Sequence, residues 1–308
     1  MGLPLGTMTH SPLGSRRALS FALGAHAIWG SMPVYLLLVH DVPVFEYVAW
    51  RTLFTLPLCL VIIAFRGSIG ELTTVLRNRR SMLTLAASAG LIAVNWCLYV
   101  WAIQTDHVYA ASLGYYILPL TMMLLGLVFL GERLTRRQWA AVALAGVGVA
   151  ALAAGAMTTL WVSLTLALSF GTYGLLRKTV AAGPLVGLAV ESMVLGPFAV
   201  GFLAWSANLG PGLAIGRDAL ETFGIVMGGP MTAVPLLLFA AAARAMPFTV
   251  MGFLQFLSPT VVFLIGLLVF GEDLHPAQLA SFVAIWAAAA VFTWDLVRSS
   301  RRPAVRPL

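Results

Sequence analysis

Ten apolar segments, each about as long as a membrane-spanning helix, dominate this sequence of 308 residues. About 20 helical residues cross a hydrocarbon core roughly 30 Å thick. Charged residues make up only 9% of the chain, whereas they make up about 25% of an ordinary soluble domain. The sequence therefore predicts an all-α polytopic membrane protein in a lipid bilayer. Its ten spans are predicted near residues 18–39, 44–65, 82–103, 109–130, 137–154, 157–178, 187–206, 219–241, 248–270 and 276–296.

The stretch from Ser112 to Gln138 occurs a second time, 140 residues further on. Eight of the twenty positions from Pro119 to Gln138 are identical in the two copies, including a polar tail with the pattern Gly-Glu-x-Leu-x-x-x-Gln. The chain is therefore predicted to contain two five-helix repeats, at residues 18–154 and 157–296. A segment at 1–17 precedes them, and a basic tail at 297–308 follows. Because five is odd, the second repeat enters the membrane from the opposite side, so the repeats are inverted.

The basic residues predict the orientation of the chain. With the N-terminus inside, sixteen of the eighteen lysines and arginines fall in inner segments, Arg217 in an outer loop and Arg51 within a span. Such a bias is typical of cytoplasmic-membrane proteins and places both termini in the cytoplasm. The basic residues lie at the edges of apolar segments and form no phosphate-binding face, so we expect no nucleic-acid partner.

The motifs of soluble enzyme chemistry do not occur in the sequence. It contains no Gly-x-x-x-x-Gly-Lys-Ser/Thr loop, no His-Glu-x-x-His and no Gly-x-Ser-x-Gly. The two cysteines, Cys59 and Cys97, lie inside apolar segments and suit helix packing. We therefore expect no enzymatic activity, no metal and no cofactor, and any work must use a gradient.

Ionisable side chains inside the spans are costly in hydrocarbon and tend to face a cavity. The candidates for charge recognition or proton coupling are Arg51, Glu46, Glu191 and His26. For Glu46 and Glu191 the alternative is an interfacial position. For His26 it is a hydrogen bond to a neighbouring helix.

Polar and aromatic side chains predict the wall of a substrate cavity. On the third span, Asn95 and Tyr99 share a helix face, and Trp96 lies beside them. Tyr115, Tyr173 and Gln255 are further candidates on other spans. The alternative for Asn95 is a hydrogen bond between helices.

Two prolines at equivalent positions of the repeats, Pro119 and Pro259, lie well inside apolar spans. A helical proline leaves the carbonyl four residues earlier without its partner and bends the helix. Together with Gly126 and Gly266, these prolines are the candidate gating residues. The alternative is that the prolines are simply tolerated, as they often are in membrane helices.

The fifth and tenth spans are rich in small residues, for example AAVALAGVGVAALAAG in the fifth. Small residues allow close helix packing. This pattern is consistent with a homodimer that forms through these two spans.

Three segments carry a resemblance to a known family: NWCLYVWAIQTDHVYAASLGYYILPLTMMLLGLVFLGERLTRRQW, TAVPLLLFAAAAR and GFLQFLSPTVVFLIGLLVFGE. They resemble the RarD proteins, also called chloramphenicol-sensitive proteins, in the EamA branch of the drug/metabolite transporter superfamily. The resemblance covers residues from Ala18 to about Leu296. It implies the drug/metabolite transporter fold, with two inverted five-helix halves around a central cavity lined mainly by the first four helices of each half.

The family motif falls here on Asn95, Trp96, Ser112, Gly114, Tyr115, Pro119, Gly131 and Glu132. Of these, Gly131 and Glu132 lie at a membrane edge, where they are expected to position a loop. The family's Gln-Tyr-x-x-Pro pattern reads Gln255-Phe256-Leu257-Ser258-Pro259 here. Phe256 therefore lacks the phenol that the family pattern supplies.

These features predict a secondary transporter that exports or exchanges a small metabolite or drug by alternating access, with a proton or counter-substrate as a candidate second solute. A non-transporting membrane scaffold or assembly factor is the alternative, and an integral-membrane enzyme comes last. An aromatic pocket would suit an antibiotic, whereas Arg51 would suit the carboxylate of an amino acid. The sequence leaves both substrates open.

Overall fold

A computed structural model describes residues 16–105, 107–154, 157–269 and 276–300. All the regular secondary structure within these ranges is helical. The α-helices are α1 (Arg16–Leu36), α2 (Val44–Phe65), α3 (Ile69–Arg77), α4 (Arg79–Gln104), α5 (Val108–Leu130), α6 (Arg136–Ala154), α7 (Leu160–Thr179), α8 (Pro184–Leu209), α9 (Ala219–Ala245), α10 (Phe248–Leu254), α11 (Leu257–Leu268) and α12 (Pro276–Ser300).

Ten spans in the described residues are long and apolar enough to cross a membrane, which confirms the predicted fold class. The ninth span consists of α10 and α11 together. Two details were not predicted. Helix α8, which is the seventh span, begins at Pro184, earlier than its apolar pattern indicated, because proline is favoured in the first helical turn. The short helix α3 is amphipathic, with Leu72 and Val75 buried and the other face exposed, so a search for spans does not find it.

The helix contacts follow the two-fold relation between the repeats. Helix α1 packs on α9 and α11, and its counterpart α7 packs on α4 and α5. Helix α2 packs on α9, and its counterpart α8 packs on α4. Three contacts join a helix to its own counterpart: α2 to α8, α5 to α10, and α6 to α12. Helices from both halves therefore alternate around one centre.

The small-residue faces of α6 and α12, the fifth and tenth spans, pack on each other within the chain. A Cβ atom at Gly148 would lie 3.0 Å from the carbonyl oxygen of Ser281. At one end of this pair, the hydroxyl of Thr135 donates to Asp295 at 2.7 Å, and Arg137 lies 3.8 Å from the same carboxylate. The close packing predicted for these spans is thus satisfied by a contact within the chain.

The polar tail of the repeated stretch ends one helix and begins the next. Gly131 terminates α5 in the left-handed conformation, with φ of 64°. Thr135 and Gln138 then form a reciprocal capping box at the start of α6, because each side chain accepts from the other residue's backbone N–H. The counterparts Gly271 and Glu272 lie outside the described residues.

Glu132 ties the first half of the chain to the second. Its two carboxylate oxygens accept hydrogen bonds from the backbone nitrogens of Phe248, at 2.6 Å, and Thr249, at 2.8 Å. These are the free N–H groups at the start of α10, where a negative charge is favourable. Glu132 therefore positions the start of the ninth span, consistent with the loop-positioning role expected from its place at a helix end. We call this end of the bundle, which also carries the α2–α3 connection, the arginine-rich end.

Replacing Glu132 should loosen this tie. We expect Glu132→Ala to lower the free energy of unfolding by about 1–3 kcal/mol, because two charge-assisted hydrogen bonds to a helix terminus are lost. Glu132→Gln, which keeps one acceptor oxygen, should lose less. Thermal unfolding in detergent measures both, with Arg133→Gln at the neighbouring exposed position as the control. Equal stability of Glu132→Ala and the wild type would contradict the assignment.

Candidate functional site

A small cavity lies on the pseudo-two-fold axis, between the second, third, seventh and eighth spans. Its volume is about 10 Å³, room for roughly one water molecule. Three pairs of lining residues are equivalent in the repeats, since their numbers differ by 140: Thr52 and Ser192, Thr55 and Leu195, Trp96 and Leu236. Glu191 also lines the cavity, and Arg51 is its equivalent in the first repeat. The two halves therefore contribute matching positions with opposite charges to one central site.

Arg51 is held from two sides. Its Nε donates to the hydroxyl of Thr232 on α9 at 2.8 Å. Its guanidinium lies 3.9 Å from the centre of the Trp96 ring and 5.7 Å from that of Tyr47, both favourable cation–π distances. Gly228 makes room for it, since a Cβ there would lie 3.2 Å from the Cβ of Arg51. The side chain is 92% buried yet forms no ion pair with any described carboxylate.

An aromatic wall continues from Trp96 along the same side of the site. The rings of Tyr99 and Tyr115 meet edge to face, with centroids 5.4 Å apart. Tyr115 lies close enough to Arg51 to interact with it electrostatically. Trp96, Tyr99 and Tyr115, all predicted as cavity residues, thus lie together near Arg51.

Glu191 has a partner that the sequence did not reveal. Arg177, near the end of α7, is 1% exposed, and its Nε lies 3.6 Å from Oε1 of Glu191. Ser88 donates to the same carboxylate oxygen, and Tyr173 lies in contact range of both charged groups. Gly187 provides the space, because a Cβ there would overlap the guanidinium of Arg177.

Arg177 was placed by sequence among the cationic residues that set orientation, because it directly precedes Lys178 at the edge of an apolar segment. The structure instead buries it against Glu191 and joins its Nη2 to the carbonyl of Pro184 at 2.7 Å. The only signal in the sequence was a buried glutamate that needed a cation. Of the predicted cavity residues, Tyr173 belongs to this charged cluster.

Asn95 joins two helices. Its amide nitrogen donates to the carbonyl of Leu166 at 2.9 Å and to the hydroxyl of Ser169 at 3.0 Å, both on α7. The side chain is fully buried. This geometry matches the alternative of an interhelical hydrogen bond, and Asn95 does not line the cavity in this conformation.

His26 and Gln255 meet the interruption between α10 and α11. Nδ1 of His26 lies 3.1 Å from the hydroxyl of Ser258, which in turn donates to the carbonyl of His26 at 3.2 Å. Gln255 is 98% buried at the break itself. Nε2 of His26 and Oε1 of Gln255 have no hydrogen-bond partner among the described residues. Two buried polar atoms near the break are therefore unsatisfied in this conformation.

The two prolines differ in their effect on the chain. Pro259 follows a break that divides the ninth span at Gln255 and Phe256, whereas Pro119 lies within the uninterrupted helix α5. The two regions are in direct contact. Tyr116 donates its hydroxyl to the carbonyl of Pro259 at 3.1 Å, and a Cβ at Gly252 would lie 2.9 Å from the carbonyl oxygen of Pro119.

The structure gives less information about the two glycines predicted to act in gating than about the two prolines. Gly126 faces the start of α10, where a Cβ would lie 2.8 Å from Oε2 of Glu132. Gly266 lies in α11, but its surroundings are outside the described side chains.

Glu46 binds a loop at the end of the bundle opposite the arginine-rich end. It is 99% buried, and its Oε1 accepts from the indole of Trp50 at 3.1 Å and from the backbone nitrogen of Ala214 at 2.7 Å. Ala214 belongs to the connection between α8 and α9. Glu46 is therefore in contact with a loop, and no ion pair joins it to Arg51.

Comparison with known proteins places the chain among membrane transporters. Residues 16–154 match the EamA-like transporter family. The chain is 42% identical over 287 residues to an uncharacterized transporter of Pseudomonas aeruginosa, covering 93% of this chain and 96% of that one. It is 38% identical to Protein RarD of Streptomyces exfoliatus, covering 94% and 92% of the two chains. It is 35% identical to Protein RarD of Escherichia coli, covering 94% and 97%.

A solved crystal structure has the same fold, with a TM-score of 0.71 over 92% of this chain and 98% of its own, at 17% sequence identity. The fold, the ten spans and the relatives define a multi-pass membrane transporter. The chain belongs to the RarD group of the EamA-like transporter family.

The buried ion pair permits a test by double substitution. We expect Glu191→Gln to lower the free energy of unfolding by about 3–5 kcal/mol, because it leaves the Arg177 guanidinium buried without a counter-charge. Adding Arg177→Met should restore most of the loss. Unfolding in detergent micelles measures the cycle. Asp41→Asn, in a surface pair whose side chains are 79% and 86% exposed, is the control and should change stability by less than about 0.5 kcal/mol. A double variant no more stable than Glu191→Gln would contradict the pairing.

Proposed function

We propose that this chain is a secondary transporter of the cytoplasmic membrane that exports or exchanges a small organic metabolite or drug by alternating access. The carrying observation is the cavity on the pseudo-two-fold axis, lined by equivalent residues of both inverted repeats. A site at such a position can be reached from either side when one half rocks against the other. Both termini lie in the cytoplasm in this proposal, because the basic residues concentrate at that end.

Polar contacts close the arginine-rich end in this conformation. Lys178 at the end of α7 donates to the carbonyls of Ala243 and Met246, each at 2.6 Å, where α9 ends. Arg244 on α9 donates back to the carbonyls of Val180 and Ala182. The sixth and eighth spans thus cap each other's ends, and opening this side requires these bonds to break.

Contacts between the first and eighth spans, beside the Glu46 contact, close the opposite end. Tyr35 donates to the carbonyl of Gly224 at 2.6 Å, and Gly224 is so close to α1 and the turn after it that a Cβ there would lie 2.8 Å from Val39. In the proposed cycle, we assign this conformation to an occluded state, because contacts join the helices at both ends and the cavity is small. We assign the gating motion to the contact of Pro119 with Gly252 and to the break before Pro259, and we keep Gly126 and Gly266 as further gating candidates.

His26 and Glu191 are the residues that we propose couple transport to a driving solute. Both are buried next to helices that must move, and a proton bound at either would change the balance of charge at the centre. A counter-substrate is the other candidate. No subunit contact through the fifth and tenth spans is included, because their small faces already pack on each other.

The non-transporting scaffold remains the second candidate, and the close packing of the centre favours it. A buried arginine without a counter-charge has no function in a scaffold, whereas in a transporter it binds the substrate. The two candidates differ in an observable way. In a scaffold, substitutions at the central site change abundance alone, whereas in a transporter they change flux at constant abundance.

Counterflow in proteoliposomes tests the proposal. Vesicles preloaded with an unlabelled amphenicol, amino acid or aromatic metabolite should accumulate the same labelled compound for at least one member of the panel. We expect Gly252→Ala to slow this exchange at least tenfold, because the added methyl wedges α10 away from α5. Gly146→Ala, which enters open space, is the matched control and should change nothing. Absence of exchange for the whole panel would overturn the proposal.

Thiol labelling tests the orientation. In a chain with Cys59 and Cys97 replaced by serine, Arg217→Cys at an exposed loop position should react with an impermeant maleimide added outside intact cells. Arg133→Cys should react only after the cells are opened. The reverse pattern would place the termini outside.

A further inference from the structure

Arg51 carries a positive charge that the described residues do not neutralise. Its counterpart Glu191 is paired with Arg177. A second buried carboxylate, that of Glu46 on α2, accepts hydrogen bonds from Trp50 and Ala214 at the far end of the site. A buried ion without a counter-charge is strongly unfavourable, and in membrane proteins such residues mark the paths of solutes. Arg51, Arg177 and Glu191 therefore sum to a charge of +1, and Glu46, which is equally buried, forms no ion pair with Arg51.

The geometry leaves part of the guanidinium free. Nε is bound by Thr232, and the ring of Trp96 covers one face of the group. Neither Nη nitrogen donates to a described residue, since the hydrogen bond of this side chain is made by Nε. The edge formed by the two Nη atoms is the part that binds a carboxylate through two parallel hydrogen bonds.

We infer that Arg51 binds the carboxylate of an organic monoanion, whose apolar part lies along the wall formed by Trp96, Tyr99 and Tyr115. This inference rests on the proposed transport function and names the chemical class of its substrate. One guanidinium matches one negative charge. A phosphate dianion would leave an excess negative charge, because the next buried cation, Arg177, is engaged by Glu191. A neutral or cationic solute would leave Arg51 uncompensated.

Several hydroxyl groups near Arg51 already form hydrogen bonds within the protein. Beyond Arg51, Tyr47 donates to the hydroxyl of Tyr35 at 3.3 Å, and Tyr35 donates to a backbone carbonyl, so this chain of hydroxyls is directed away from the cavity. On the cavity side, the hydroxyls of Thr52 and Thr55 already donate to carbonyls of their own helix. These four hydroxyls are therefore already engaged as donors, whereas the Nη atoms of Arg51 donate to no described residue.

The test compares carboxylates with their own amides. Proteoliposomes are preloaded with benzoate, phenylacetate or phenylpyruvate, or with the matching neutral amide, and counterflow of the labelled compound is measured. We expect at least one acid to exchange at least tenfold faster than its amide. Arg51→Gln should abolish this preference, and Arg51→Lys should retain part of it because the charge remains. Arg217→Gln, in an exposed loop, is the control and should behave as the wild type.

A second variant covers the case in which Arg51→Gln fails to fold. Thr232→Ala removes the hydrogen bond that fixes Nε, together with the bond from the Thr232 hydroxyl to the carbonyl of Gly228 in its own helix. It should raise the KM for the acid several-fold and leave the maximal rate nearly unchanged. Exchange of amides, amphenicols or amino acids by the wild type without preference for the acids would overturn this inference and leave the transport function intact. An acid preference that persists in Arg51→Gln would also overturn it. A wild type that exchanges no solute at all would overturn both.

Discussion

The cost of burying charge in a low-dielectric environment determines the arrangement of this protein. Arg51 and Glu191 occupy equivalent positions of the two repeats; Glu191 lines one small cavity, and Arg51 lies against Trp96, which lines it too. Glu191 is neutralised by Arg177 and hydrogen-bonded by Ser88, whereas Arg51 has only a hydroxyl and an aromatic face. The same scaffold position thus carries a satisfied charge in one half and an unsatisfied charge in the other. This asymmetry gives a symmetric fold a chemically specific site.

The contacts at the ends of the helices hold the halves in one arrangement. At the arginine-rich end, Glu132 caps the start of α10, and Lys178 and Arg244 cap the ends of the sixth and eighth spans. At the opposite end, Glu46 binds the α8–α9 connection. These bonds are few and polar, and each can be replaced by water once a gap opens. The bundle centre, in contrast, is held by close packing of small residues such as Gly252. In the proposed transport cycle, the bonds at one end break at a time while the centre stays nearly closed.

The sequence predicted what depends on period, spacing and charge count. The ten spans follow from those patterns, and the structure has them, with Arg51 buried inside the second. The same patterns predict the inverted repeat. The features that the sequence did not predict depend on which side chains come into contact. The burial of Arg177 required knowledge that α7 ends beside α8. The two prolines occupy equivalent positions of the sequence, yet the helix is interrupted before Pro259 and continuous at Pro119. The hydrogen bond from Asn95 to α7 could be predicted only with the knowledge that α4 and α7 lie side by side.

Access to the axial cavity from both sides is the central claim, and the reactivity of two equivalent positions measures it most directly. Thr52→Cys and Ser192→Cys, in a chain without native cysteines, place one thiol from each repeat at the cavity. An impermeant methanethiosulfonate is applied to either side of oriented vesicles, and the rates of modification are compared. The account requires both thiols to react from both sides, with the rate from one side falling as the rate from the other rises when a transported solute is present only on one side. Reaction from one side alone, or at neither position, would contradict it.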